Sequence, residues 1–111
     1  MSEKKVTARD LVMSMPKYFK PEKAQGVNAV IQYHLTGEGG GDWIIRIENG
    51  TCTVEEGVAE NPTLTLRMDA QEYVDLIAGR LDGMTAFMTG KLQLEGDFTL
   101  ATRLLTFFGL G

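Results

Sequence analysis

The chain has 111 residues, 43% of them hydrophobic and 23% charged, with 11 basic against 15 acidic side chains and a net charge of −4. That length suits one domain, since domains commonly hold about 100–150 residues, and the hydrophobic share excludes a disordered chain. No apolar run approaches the ~20 residues of a bilayer-spanning helix, and an acidic balance without a basic tract argues against a nucleic-acid surface. Met1 to Lys5 leads into no apolar signal core. The expectation is a soluble, cytoplasmic domain spanning residues 1–111.

Thr7 is placed to cap a first helix, with Asp10 three residues on, and Ala8, Leu11, Val12 and Met15 recur at i, i+3, i+4 and i+7. Pro16 interrupts it and Pro21 ends the region. From Val27 to Leu35 the period becomes two: Val27, Ala29, Ile31, Tyr33 and Leu35 share one face, Asn28, Gln32 and His34 the other. The glycine-rich run from Gly37 to Gly41 reads as a hairpin loop. A second strand alternates Trp43, Ile45 and Ile47 with Arg46 and Glu48, and Asn49-Gly50 is the strongest hairpin signal in the chain. A third strand runs from Thr51 to Val54. A fourth follows Pro62, with Leu64, Leu66 and Met68 inward and Thr63, Thr65 and Arg67 outward. This alternation predicts a sheet with one wet face.

Asp69 to Glu72 has the pattern of a capping box, Asp69 capping and Glu72 reaching back, for a short helix with Tyr73, Leu76 and Ile77 buried. Asp82 caps another helical piece, Gly83 to Thr89, carrying Met84, Phe87 and Met88; Leu92 and Leu94 mark a fifth strand. Asp97 caps a last helix from Phe98 to Phe108. Grouped strands with helices at the ends predict an α+β fold.

The catalytic inventory is thin. Ser2 and Ser14 are the serines and neither lies in a nucleophile elbow; His34 is the single histidine and falls on the sheet face away from Cys52. One histidine and one cysteine fall short of a zinc ligand set. The glycine loop lacks the Gly-Lys-Ser/Thr of a phosphate cradle, carries Glu38 and is followed by Asp42, and Glu55 and Glu56 point to opposite faces of a strand. The chain is expected to be no enzyme, with no metal and no cofactor. In the last helix Leu100, Ala101, Leu104, Leu105, Phe107 and Phe108 cover about half the circumference at 100° per residue. This is either plain core or the border of an apolar space, a ligand or a membrane.

The run Gly79-Arg80-Leu81-Asp82, then Ala86 to Leu92, then Glu95-Gly96-Asp97 and the apolar last helix resembles the sterol carrier protein-2 domain family. Trp43 to Ile47 with Asn49-Gly50, and Asn61 to Leu66 leading into Asp69, support the likeness, which extends from about Leu11 to Phe108. The resemblance implies a five-stranded, mostly antiparallel sheet with helices on one face, enclosing an apolar tunnel. It further implies non-catalytic binding of a lipid or fatty acyl ligand: a fatty acid, an acyl-CoA, a sterol or another lipid. From the sheet side the implied lining is Trp43, Ile45, Leu66, Leu92 and Leu94. From the helices it is Tyr73, Ile77, Phe87 and Met88, with Leu100, Leu104, Leu105 and Phe108 of the last helix. Lys91 and Arg103 are isolated basic residues, not a cluster for a coenzyme A phosphate. The ending Phe107 to Gly111 lacks a Ser-Lys-Leu peroxisomal address, which with the compact length fits a bacterial cytoplasmic protein. The competing expectation is an interaction module accessory to a lipid-metabolism enzyme, forming a homodimer or touching a membrane through the last helix.

Overall fold

The computed structural model describes residues 6–109. The N-terminal segment read above for a signal and the last two residues read for an address lie outside these. Twelve short elements follow one another: α1 (Ala8–Met13), α2 (Met15–Tyr18), a 3-10 turn (Pro21–Lys23), β1 (Ala29–Thr36), β2 (Gly41–Glu48), β3 (Thr51–Glu56), β4 (Leu64–Asp69), α3 (Ala70–Ile77), α4 (Gly83–Met88), β5 (Gln93–Gly96), α5 (Phe98–Leu104) and a last 3-10 turn (Thr106–Phe108).

The strands form one sheet in the order β3-β2-β1-β4-β5. Only the central β1–β4 pair is parallel; β1–β2, β2–β3 and β4–β5 are antiparallel. The fold is therefore α+β with a mostly antiparallel sheet. Asn49 (φ 52°) and Gly50 (φ 75°) take the left-handed conformations that a two-residue turn between right-twisted strands demands. In the β1–β2 loop a Cβ on Gly40 would stand 2.1 Å from the Leu35 carbonyl oxygen, so only glycine fits.

Register sets the inner face. Trp43, Tyr33 and Leu66 form one row across β2, β1 and β4; Ile45, Ile31 and Leu64 form the next. Ile45, Ile31 and Leu64 are fully buried, and Trp43, Tyr33 and Leu66 nearly so. The helices pack over this face. Thr7 and Asp10 close a reciprocal cap on α1, the Thr7 hydroxyl accepting from Asp10 N and the Asp10 carboxylate from Thr7 N. α2 restarts with Pro16 in its first turn, where a missing N–H costs nothing.

The structure corrects several sequence expectations. The outer face is not uniformly wet: the row Ile44, Gln32 and Thr65 is buried at 6%, 1% and 7% exposure. The cover is the β3–β4 crossover, residues 57–63, which passes over β2 and β1. Gln32 pins it: its amide nitrogen donates to the carbonyls of Gly57 (3.0 Å), Trp43 (3.1 Å) and Tyr33 (3.2 Å), and its oxygen accepts from Ala59 N (2.7 Å). The expected reciprocal cap of α3 is one-sided: Asp69 accepts from Gln71 N and Glu72 N, while the Glu72 carboxylate faces Lys91 Nζ at 3.6 Å. The last helix stops at Leu104, because Phe108 N and Gly109 N bond three residues back and Gly109 closes the turn at φ 77°. β1 starts at Ala29 rather than Val27, and Leu92 precedes β5 in a turn bonded to the Ala86 carbonyl. In α4 the inward residue is Ala86, and the 100° step sends Met84, Phe87 and Met88 outward.

Replacing Gln32 by methionine keeps the volume but strands Ala59 N and removes the donor to the Gly57 carbonyl of the crossover and to the Tyr33 and Trp43 carbonyls of the sheet. A stability loss of about 1–3 kcal/mol is expected by urea unfolding, with faster hydrogen exchange at Ala59. Unchanged exchange there would remove Gln32 as the pin of the crossover.

Candidate functional site

A cavity of about 270 Å³ lies between the sheet and the helices. Its floor is Met15, Tyr33, Tyr73, Leu104 and Phe108, all buried; Leu11, Ser14, Ile77 and Leu105 are half-buried on its rim, and Tyr18 stands exposed at its mouth.

Local structure explains why these residues meet. Asp69 is at once the last residue of β4 and the N-cap of α3, so α3 starts with no loop and sets Tyr73 against Tyr33. The two rings pack edge to face with centroids 5.5 Å apart, a favoured aromatic geometry. Ile77 follows one turn later on the same stripe as Tyr73. The opposite wall is fastened to the N-terminal segment: Lys20 N donates to the Phe107 carbonyl at 2.7 Å, and the Phe19 and Phe108 rings pack at 5.7 Å.

No lining residue is charged. Burial pushes the Tyr33 hydroxyl well above the ordinary phenol value, and the adjacent Tyr73 hydroxyl adds to the shift. Burial likewise pushes Tyr73 up to about 12, tempered by its hydrogen bond with Tyr33. Both phenols stay protonated donors at neutral pH.

Of the residues implied by the family likeness, the structure brings Tyr73, Ile77, Leu104, Leu105 and Phe108 onto the cavity wall. Trp43, Ile45, Leu66 and Leu100 are buried in the core away from the wall, and so is Leu92. Leu94 is half-buried against that core, while Phe87 and Met88 are 43% and 75% exposed on α4. Leu11, Ser14, Met15, Tyr18 and Tyr33 line the cavity without having been named as lining. One signal pointed to them: all three tyrosines of the chain lie on this wall, and a phenol amid apolar positions needs somewhere to put its hydroxyl.

The residues weighed for catalysis are not assembled. His34 Nδ1 meets Asp42 Oδ1 at 2.6 Å on the outer face. Cys52 lies opposite Ile47 toward the core, its thiol pushed up to about 11 by burial, and Ser14 donates to the Leu11 carbonyl at 3.0 Å. Glu55 pairs with Arg46 at 3.1 Å and Glu56 with Arg9. Among the described residues no group of three or more His, Cys, Asp or Glu is placed to hold a metal, and no helix is long and apolar enough to cross a membrane.

Short helices closed over one face of a five-stranded sheet, with an apolar cavity between the layers, define the class: an α+β fold with an internal apolar space. Sequence narrows that class to one family. The profile of the SCP-2 sterol transfer family matches residues 13–109, and the chain belongs to that family. It is 29% identical over 89 residues to hydroxysteroid dehydrogenase-like protein 2 of Xenopus tropicalis, covering 79% of this chain and 21% of that protein. The chain thus spans about a fifth of this relative's length. Its fold is similar to part of the sec-alkylsulfatase Pisa1 from Pseudomonas sp., with a TM-score of 0.77 at 23% identity over 95% of this chain and 16% of that one. It is also similar to sterol carrier protein 2 like 2 from Aedes aegypti. The crystal structure of that protein gives a TM-score of 0.73 at 22% identity over 89% of this chain and 91% of that one. The palmitated form in solution gives 0.68 at 25% identity over 89% and 88%.

A phenol whose folded value is raised from 10.0 to about 12 stabilises the fold fully below pH 10, and that contribution drains away as pH rises toward 12. Urea midpoints measured across this window should fall for the native chain and fall less for Tyr33→Phe/Tyr73→Phe. An equal fall in both would show that these two hydroxyls do not cause the loss.

Proposed function

We propose that the chain is a non-catalytic carrier that binds an apolar, chain-like ligand in this cavity and releases it with no bond made or broken. The observation that carries this reading is the cavity itself, walled by apolar side chains and phenols and free of charge. Family membership supports it, and so does the palmitated form of the similar Aedes aegypti protein. Residues 1–111 acting as one lipid-binding unit is part of the same proposal.

Size sets the affinity. At ~30 Å³ per water-sized group the cavity holds about nine such groups, so a longer acyl chain extends past Tyr18 into solvent. Nine methylenes at about 0.8 kcal/mol each give roughly 7 kcal/mol before ordering costs. The enclosed part alone therefore supports a dissociation constant of roughly 10 µM at best, which suits reversible carriage. A fatty acid, an acyl-CoA or a sterol would each place its apolar part inside and any charged group outside. Of the two basic residues weighed for a phosphate, Lys91 faces Glu72, and Arg103 lies over the Phe107 ring and donates to the Lys23 carbonyl.

A second reading, an interaction module serving an enzyme, is favoured by one surface feature. Met84, Phe87, Met88 and Phe98 are exposed together, with the Phe87 and Phe98 rings 6.4 Å apart. α5 itself buries Leu100 and Leu104, so contact with a second copy or a membrane would use this patch rather than the apolar side of that helix.

Native mass spectrometry of the purified protein after exposure to mixed fatty acids and neutral lipids separates the two. The carrier reading expects a one-to-one adduct, lost or weakened about tenfold in Leu105→Trp, which fills the rim with a large ring. A ligand-free dimer with no adduct would overturn it in favour of the second reading.

A further inference from the structure

The cavity wall carries four polar side chains, and two of them are already accounted for. Ser14 donates its hydroxyl to the Leu11 carbonyl, and Tyr18 is 54% exposed at the mouth. Tyr33 and Tyr73 differ: they are 2% and 3% exposed, on the cavity floor, with rings in edge contact. A hydrogen bond from one of these hydroxyls to the other would use one proton and leave the second O–H needing an acceptor. Among the described residues no protein acceptor serves it. Directly beside Tyr33 in the register, Trp43 carries a buried indole N–H that also lacks a partner. This part of the interior is rich in donors and poor in acceptors.

Resting on the carrier reading above, we propose that Tyr33 and Tyr73 form the polar anchor of the cavity and select an uncharged chain bearing an acceptor oxygen, such as a ketone or ester carbonyl. The carbonyl would lie at the floor and accept the free phenol proton. A carboxylate there would be an anion buried with no cation among the lining residues, and that burial costs far more than burying a neutral dipole. A fatty acid would accordingly enter chain first, with its carboxylate at the Tyr18 mouth. The two ends of the site thus sort ligands by charge.

The test compares decan-2-one, decanoate and decane, each displacing a bound uncharged fluorescent dye near neutral pH. The wild-type chain should prefer decan-2-one to decane by about tenfold, the value of one buried hydrogen bond. In Tyr33→Phe/Tyr73→Phe the ketone should lose about tenfold while decane and decanoate hold within about twofold. The ketone's infrared carbonyl stretch should shift down when bound to the wild-type chain and not to the variant. Either single substitution leaves one phenol O–H on the floor, so if the double variant fails to fold the wild-type readings decide alone: no ketone preference together with an unshifted carbonyl stretch overturns the anchor. Equal binding of ketone and decane to the wild-type chain overturns the anchor and leaves the carrier standing, as does a ketone preference that survives the substitution. A folded wild-type chain that binds none of the three overturns both.

Discussion

The arrangement depends on one buried side chain. Gln32, on the central strand, ties the β3–β4 crossover to the outer face of the sheet through Gly57 and Ala59. The crossover must travel from one edge, past β2 and β1, before β4 can pair in parallel with β1. Because the residue that ends β4 caps α3, the placement of β4 is also the placement of Tyr73. Its neighbour Tyr33 is the residue after Gln32, pointing to the opposite face. One strand therefore fixes the crossover on one side and the cavity floor on the other.

The cavity is what short helices leave uncovered. Among the described residues no helix exceeds eight residues, so each spans at most about 12 Å at 1.5 Å per residue. Together they seal Ile31, Ile45, Ile47 and Leu64 completely, and at the Tyr33 end they meet without closing. The gap is held open by groups that cannot collapse into it: two rings in edge contact on one wall, and the Phe19–Phe108 pair behind the other. A space lined this way is apolar and carries phenol donors rather than charges.

Much of the fold was legible because it rests on local chemistry. The alternation at Ile45 and Ile47, the Asn49-Gly50 turn and the caps at Thr7, Asp69, Asp82 and Asp97 are short-range signals, and each marks the element it should. Gln32 reads as an outward polar residue because its cover comes from residues more than 20 positions away. Phe87 and Met88 read as lining because an apolar side chain gives no sign of which way a six-residue helix turns. Ala86, small enough for close approach, takes the inward place instead. The cavity was only half legible: Tyr73, Ile77 and the C-terminal leucines lie on apolar stripes, but Leu11, Met15 and Tyr33 join them through tertiary contacts between distant segments.

Amide shift mapping reads out whether a ligand occupies the space between Tyr33 and the helices. A labelled chain would be titrated with a ten-carbon ketone. Occupancy of this space produces saturable shifts at Tyr33, along α1 and α2, around Tyr73 and Ile77, and from Leu104 to Phe108. Shifts centred on Met84 to Met88 and Phe98, or none at all, would contradict it.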